Sequence, residues 1–184
     1  MSTTEKDIAS AVDAGGQHDH HEIPWIRKYV FATDHKMIAK QFMFVSLFFL
    51  VVGGALAGMM RFQLGFPGQP MPGAGILPDA MMAPTPDGAI MLPEFYNSLV
   101  TMHGTIMIFF AIMPLLVGLF GNLLIPLQIG AEDMAFPRLN MASFWLAVPA
   151  GMLMLASFAV EGGAAGAGWT SYAPLSTSGE WTGV

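Results

Sequence analysis

Three long apolar runs divide the chain: Gln41 to Met60, Tyr96 to Ile125 and Met141 to Val160. A helix needs about 20 apolar residues to cross the hydrocarbon core of a bilayer. The runs predict spanning helices over about residues 38–61, 96–125 and 141–160. Thr33 or Asp34 can cap the first, because a short side-chain oxygen satisfies free amides at a helix start. Pro114 falls inside the second run and predicts a kink or local unwinding there. Gly53, Gly54, Ala55, Ala57 and Gly58 crowd the second half of the first run, and Gly118 and Gly121 lie in the second run. In lipid, small residues let helices approach closely.

The segments between the runs are polar or rich in turn formers. Phe62 to Phe95 is rich in proline and glycine, with Asp79, Asp87 and Glu94, and reads as an external loop. Pro126 to Asn140 is a short connection carrying Glu132, Asp133 and Arg138. After Val160 come Glu161 and a glycine-rich stretch with Trp169, Tyr172 and Trp181, as expected of an interfacial loop. Ile23 to Lys40 mixes Trp25, Tyr29 and Phe31 with Arg27, Lys28, Lys36 and Lys40, a combination that suits a membrane interface.

Composition agrees with the pattern. Of 184 residues, 54% are hydrophobic and 11% charged, against about 25% charged in soluble domains; the mean hydropathy is +0.55. The fold class is therefore all-α, a polytopic transmembrane helix bundle. With no cysteine, disulfides, thiolate metal sites and cysteine nucleophiles are excluded. A net charge of −6 argues against nucleic acid as a partner, which calls for a basic face.

Residues 1–22 are polar and acidic and lack the apolar core of a signal peptide; they read as a disordered cytoplasmic tail, and residues 23–184 as the membrane part. His18, Asp19, His20 and His21 in the tail could bind a metal or could be solvated. Four of the seven lysines and arginines lie between Arg27 and Lys40, just before the first run, and the Phe62–Phe95 loop has none. The positive-inside rule puts the N-terminus in the cytoplasm.

Few polar groups interrupt the apolar pattern, and these are the candidates for chemistry. His103 lies within the second run. Intramembrane ionisable groups usually face the bundle interior and serve function. Its imidazole could ligate haem iron, which takes one histidine from each side, or could simply bond to a neighbouring helix. Arg61 closes the first run and either snorkels to the interface or meets a buried anion or cofactor edge. Asp133 stands where the second run gives way to the third, with Asn122, Asn140 and Ser143 near it in sequence. A carboxylate at a membrane boundary with amides leading inward suits proton uptake, and suits a helix cap equally. Three helices hardly supply partners for these groups, so a larger bundle is expected.

The segments ATDHK, TMHGTIMIFFAIMP, GNLLIPLQIGAEDMAFPRLNMASFW and GWTSYAPLS, in that order from about Tyr29 to Leu175, closely resemble subunit I of the haem–copper respiratory oxidases. The resemblance covers the first three of that family's roughly twelve spanning helices. It implies that His103, in HGTIMIFF, is an axial ligand of the low-spin haem iron. That haem would be haem A, with haem B as the alternative. Arg61, in MMRFQLG, would contact the haem periphery, and Trp169, in GWTSYAPL, would lie near the propionates. Asp133 would open the D proton pathway, with Asn122, Asn140 and Ser143 holding its first waters. The high-spin haem and copper would have their ligands beyond Val184, so this portion has no catalytic residue of its own.

The implied enzyme is a proton-pumping terminal oxidase of the bacterial plasma membrane or, alternatively, the inner mitochondrial membrane. Its partners would be the remainder of subunit I, a copper-bearing subunit II, subunit III, cytochrome c, oxygen and membrane lipids. Quinol-oxidising relatives carry polar residues where Val52, Leu56, Phe95 and Ser98 stand, which favours cytochrome c as donor; a quinol oxidase and a non-catalytic membrane assembly piece are the alternatives. Three departures stand out. Met141 replaces a second asparagine common after Asn140. Gln63 replaces a glutamate of a calcium or sodium site. The loop before Tyr96 is longer than in many relatives.

Overall fold

The computed structural model describes residues 24–73, 75, 81–160 and 163–177. The tail with its histidine cluster, Asp79, Glu161 and Trp181 lie outside them. Thr33 onward forms one compact unit, and the residues before it belong to another. In the latter, a short helix α1 (Trp25–Tyr29) carries a Trp25–Tyr29 ring contact at 5.7 Å and the Lys28 ammonium 5.4 Å from the Tyr29 ring.

The main unit holds three long apolar helices: α2 (His35–Gly65), α3 (Pro93–Ile129) and α4 (Pro137–Ala156). All are long and apolar enough to span a membrane, and the chain is an integral membrane protein. The first two extend beyond their apolar runs at both ends, whereas α4 starts earlier than its run, at Pro137, and ends at Ala156, before Val160. Asp34 starts α2 by accepting the Met37 amide at 3.1 Å. Pro93 and Pro137 sit in the first turns of α3 and α4, where a missing N–H costs nothing. Gly130, in the left-handed region at φ +69, ends α3, as glycine does without a Cβ penalty.

Within α3 the helix is α-form over Pro93–Thr105, then π-form over Ile106–Ile112 and Pro114–Gly121, and α-form again over Asn122–Ile129. The Met113 amide reaches back five residues to the Ile108 carbonyl. Proline in an α-helix removes one bond and clashes with the carbonyl four residues back. The π turn, frequent at functional sites, accommodates Pro114 as a local unwinding.

One stripe of α2 is buried: His35, Ile38, Ala39, Phe42, Ser46, Phe49 and Gly53. It sets the register of the bundle. A Cβ on Gly118 would lie 2.4 Å from Phe42, one on Gly151 2.4 Å from Phe49, and one on Gly53 2.6 Å from the Met107 sulfur. The Phe42–Phe144 and Phe49–Phe110 rings also pack, with centroids 5.2 and 5.1 Å apart. Hence α3 runs antiparallel to α2 and α4 parallel to it.

The loop before α3 contains more structure than expected. Strands β1 (Met82–Thr85) and β2 (Gly88–Met91) pair antiparallel, Met82 opposite Met91. Pro86 and Asp87 make the turn, and Thr85 Oγ1 donates to the Gly88 carbonyl at 2.8 Å. The hairpin buries Met71, Met81, Met82 and Met91 against Phe95 and Leu99, closing that end of α2 and α3.

Candidate functional site

The bundle carries polar chemistry at two levels. His103 lies in the last α-helical turn of α3 before the π segment. Its Nδ1 is 2.8 Å from the Gly53 carbonyl of α2. A carbonyl only accepts, so Nδ1 carries the proton and Nε2 keeps its lone pair. A bond of this kind fixes tautomer and ring orientation in metal-ligating histidines. Nε2 of this half-buried residue has no partner among the described residues. The imidazole therefore fits the role of a haem ligand.

The loop over residues 163–177 is fastened along a neighbouring face of α3. Ser98 Oγ donates to the Ala164 carbonyl at 2.7 Å, and the Gly168 amide donates to Thr101 Oγ1 at 2.9 Å. These bonds set Trp169 against Gly104, whose Cβ position is 3.0 Å from the indole Cδ1. The Trp169 indole fills the space beside Gly104. Trp169 thus lies against the residue that follows His103 in α3. Arg61 is apart from them, about 12 Å beyond Gly53 along α2 at 1.5 Å per residue. It is exposed and makes no ion pair among the described residues.

Asp133 lies at the other level. Its Oδ1 is 2.7 Å from the Met134 amide, 2.9 Å from His35 Nδ1 and 3.3 Å from the His35 amide. The connection between α3 and α4 thus docks on the N-terminus of α2, where free amides and the helix dipole favour a carboxylate. Asp34, His35 and Asp133 bring possible ligand atoms within 4.8 Å of one another, a set that could hold a metal ion. His35 itself is 1% exposed and its Nε2 has no partner among the described residues.

The other polar candidates do not bond to Asp133. Asn122 is buried and donates to the Gly118 carbonyl at 2.8 Å. Because Gly118 faces Phe42 and the helices are antiparallel, Asn122 lies toward the His35 end of the bundle. Ser143 Oγ donates to the Asn140 carbonyl at 2.7 Å, while Asn140 Nδ2 is buried without a partner among the described residues.

His35 is the residue that sequence reasoning overlooked. It was counted with an interfacial stretch, because nothing local joins position 35 to position 133. The available signal was a histidine immediately after a capping aspartate.

An integral membrane bundle with a tautomer-fixed histidine at one level and a docked aspartate about 27 Å away along α2, at 1.5 Å per residue, defines a membrane protein able to hold a metal group. The chain belongs to the family described as "Cytochrome C and Quinol oxidase polypeptide I", which matches residues 37–184. It is thereby identified with subunit I of the haem–copper oxidases. It is 44% identical over 89% of its length to "Cytochrome c oxidase subunit 1" of Synechocystis, covering 26% of that protein. To the protein of the same name from Thermostichus vulcanus it is 45% identical, over 83% of this chain and 24% of that one. Similarity to "Heme-copper oxidase subunit I+III" of Aeropyrum pernix is 38% over 83% of the chain and 16% of that protein. The chain spans about a quarter of the length of the first two relatives.

Proposed function

We propose that this chain supplies the first three spanning helices of subunit I of a proton-pumping terminal oxidase. The complete enzyme transfers electrons from cytochrome c to oxygen and reduces it to water. The observation that carries this reading is the His103–Gly53 bond, which frees Nε2 in a chain of the oxidase family.

His103 would hold the low-spin haem, with Arg61 and Trp169 contributing to its binding. Bound there, the haem supplies one-electron transfer. Gly53 orients the imidazole, and Trp169 packs against the neighbouring Gly104. Asp133 takes protons at the cytoplasmic boundary, and Asn122, Asn140 and Ser143 lead them inward. The unpartnered Asn140 Nδ2 supports a polar route, since buried amides seek partners or ordered water.

The chain buries only 22%, 17% and 11% of the apolar windows of α2, α3 and α4. That supports a larger bundle, completed by the remainder of subunit I, a copper-bearing subunit II and subunit III in a bacterial plasma membrane. The high-spin haem and copper belong to that remainder. Cytochrome c is favoured over quinol because Ser98, the one hydroxyl among the four compared positions, is already bonded to Ala164.

The test is His103→Ala in the complete oxidase. It should abolish the low-spin haem band in the visible spectrum while the subunits still assemble. An unchanged spectrum refutes the ligand assignment.

A further inference from the structure

We infer that Ser46 and the turn of α3 broken by Pro114 hold an ordered water between α2 and α3, inside the bundle. Ser46 is 1% exposed, and its Oγ has no hydrogen-bond partner among the described residues. A buried hydroxyl left unpaired is costly, and such groups pair with protein or with ordered water. The three helices already enclose Ser46, so helices added around them do not reach it. Its partner lies within this bundle.

The packing register supplies an acceptor there. Phe42 meets Gly118, and Phe49 meets Phe110. Between antiparallel helices paired in this order, Ser46 falls opposite Pro114. Ala111 and Gly118, three residues before Pro114 and four after it, are both buried. That spacing puts Pro114 on the same face of α3. Proline carries no N–H. The Met113 amide bonds five residues back, to the Ile108 carbonyl. In that register an amide at position 114 would take the Phe109 carbonyl, which therefore receives no bond from Pro114. A water that donates to this carbonyl and bonds to the Ser46 hydroxyl replaces the missing amide. Two polar partners suffice to hold a buried water.

The site is separate from both polar levels described above. Along α2, at 1.5 Å per residue, Ser46 is about 10 Å from Gly53 and about 16 Å from His35. The water ties the π segment of α3 to α2, between the level of His103 and that of Asn122. Ser46 is thus a positioning residue, acting through the water on the path of α3.

The test is a high-resolution structure of the complete oxidase, parent beside Ser46→Ala. The parent should show a water within about 3.2 Å of both Ser46 Oγ and the Phe109 carbonyl. Ser46→Ala should lose it. A parent with no water there, or with Ser46 Oγ bonded to the Phe42 carbonyl one turn back in its own helix, overturns the proposal.

The thermal midpoint for loss of haem absorbance gives a second readout, by its sign. If a water pairs the hydroxyl, Ser46→Ala lowers the midpoint. If the hydroxyl is unpaired, removing it raises the midpoint, and the proposal fails. Pro114→Ala returns an amide to position 114 and takes the carbonyl from the water. Ser46→Ala should then lower the midpoint less in the Pro114→Ala background than in the parent. An equal decrease in both backgrounds uncouples Ser46 from Pro114 and overturns the shared site.

Discussion

The Gly53 carbonyl and His103 Nδ1 are joined across α2 and α3 by a 2.8 Å hydrogen bond. The acceptor is backbone, so the imidazole is oriented by helix packing rather than by a side chain. Close approach is possible because residue 53 has no Cβ, and the Met107 sulfur occupies the space that one would fill.

Substitution at Gly53 should therefore act on the haem site in proportion to its bulk. In Gly53→Ala the added methyl meets the far end of a flexible methionine, which can move aside. Haem binding should stay near normal. Gly53→Val adds branching that the methionine alone cannot absorb, forcing α2 and α3 apart and lengthening the His103 bond. The low-spin band should shift or weaken. Equal spectra for the two variants would contradict the packing argument.

The part of the bundle nearer His35 should tolerate less. A Cβ on Gly118 meets Cγ of Phe42 at 2.4 Å, and that ring is fixed by Phe144. Overpacking of this kind costs about 1–3 kcal/mol. Gly118→Ala should lower the thermal midpoint at which the complex loses haem absorbance. Adding Phe42→Leu should recover part of the loss. A Gly118→Ala complex as stable as the parent would show that the helices adjust freely here.

The sequence displays the three helices because a bilayer imposes a length and a polarity that few other environments do. It displays the start of α2 through its capping residue Asp34, and the ends set by Pro93 and Gly130 less well, because these act through backbone geometry outside the apolar runs. The hairpin was legible in principle, since Pro86-Asp87-Gly88 is a turn signal. Its methionines form a local core. What the chain could not display is proximity across it. Positions 35 and 133, 53 and 103, and 104 and 169 meet only after the helices pack.

Asp133→Asn should slow proton uptake and turnover with haem content intact. The amide keeps the side chain's shape and can still accept bonds from the α2 amides, but it cannot take up a proton at the boundary. About ten-fold or more is expected, equivalent to at least 1.36 kcal/mol in the barrier. Purified complex in vesicles, with a pH-sensitive dye outside and inside, measures uptake and pumping together. Normal pumping in this variant would return Asp133 to the role of a helix-docking acid.

The electron donor can be tested on the same complex. A quinone head group is recognised by hydrogen bonds to its two oxygens, so its site needs free polar groups at the membrane edge. Of the four positions compared with quinol-oxidising relatives, Val52, Leu56 and Phe95 have no polar side-chain atom. Phe95 is also buried in the methionine cluster beneath the hairpin. Ser98 has a hydroxyl, but it is buried and donates to Ala164. Releasing it would leave the Ala164 carbonyl unpaired, at a cost of about 1–3 kcal/mol. Reduced cytochrome c should therefore be oxidised faster than quinol under matched conditions, and Ser98→Ala should weaken assembly without changing that preference. A complex that oxidises quinol faster would overturn the donor assignment and require a quinol site built from other residues.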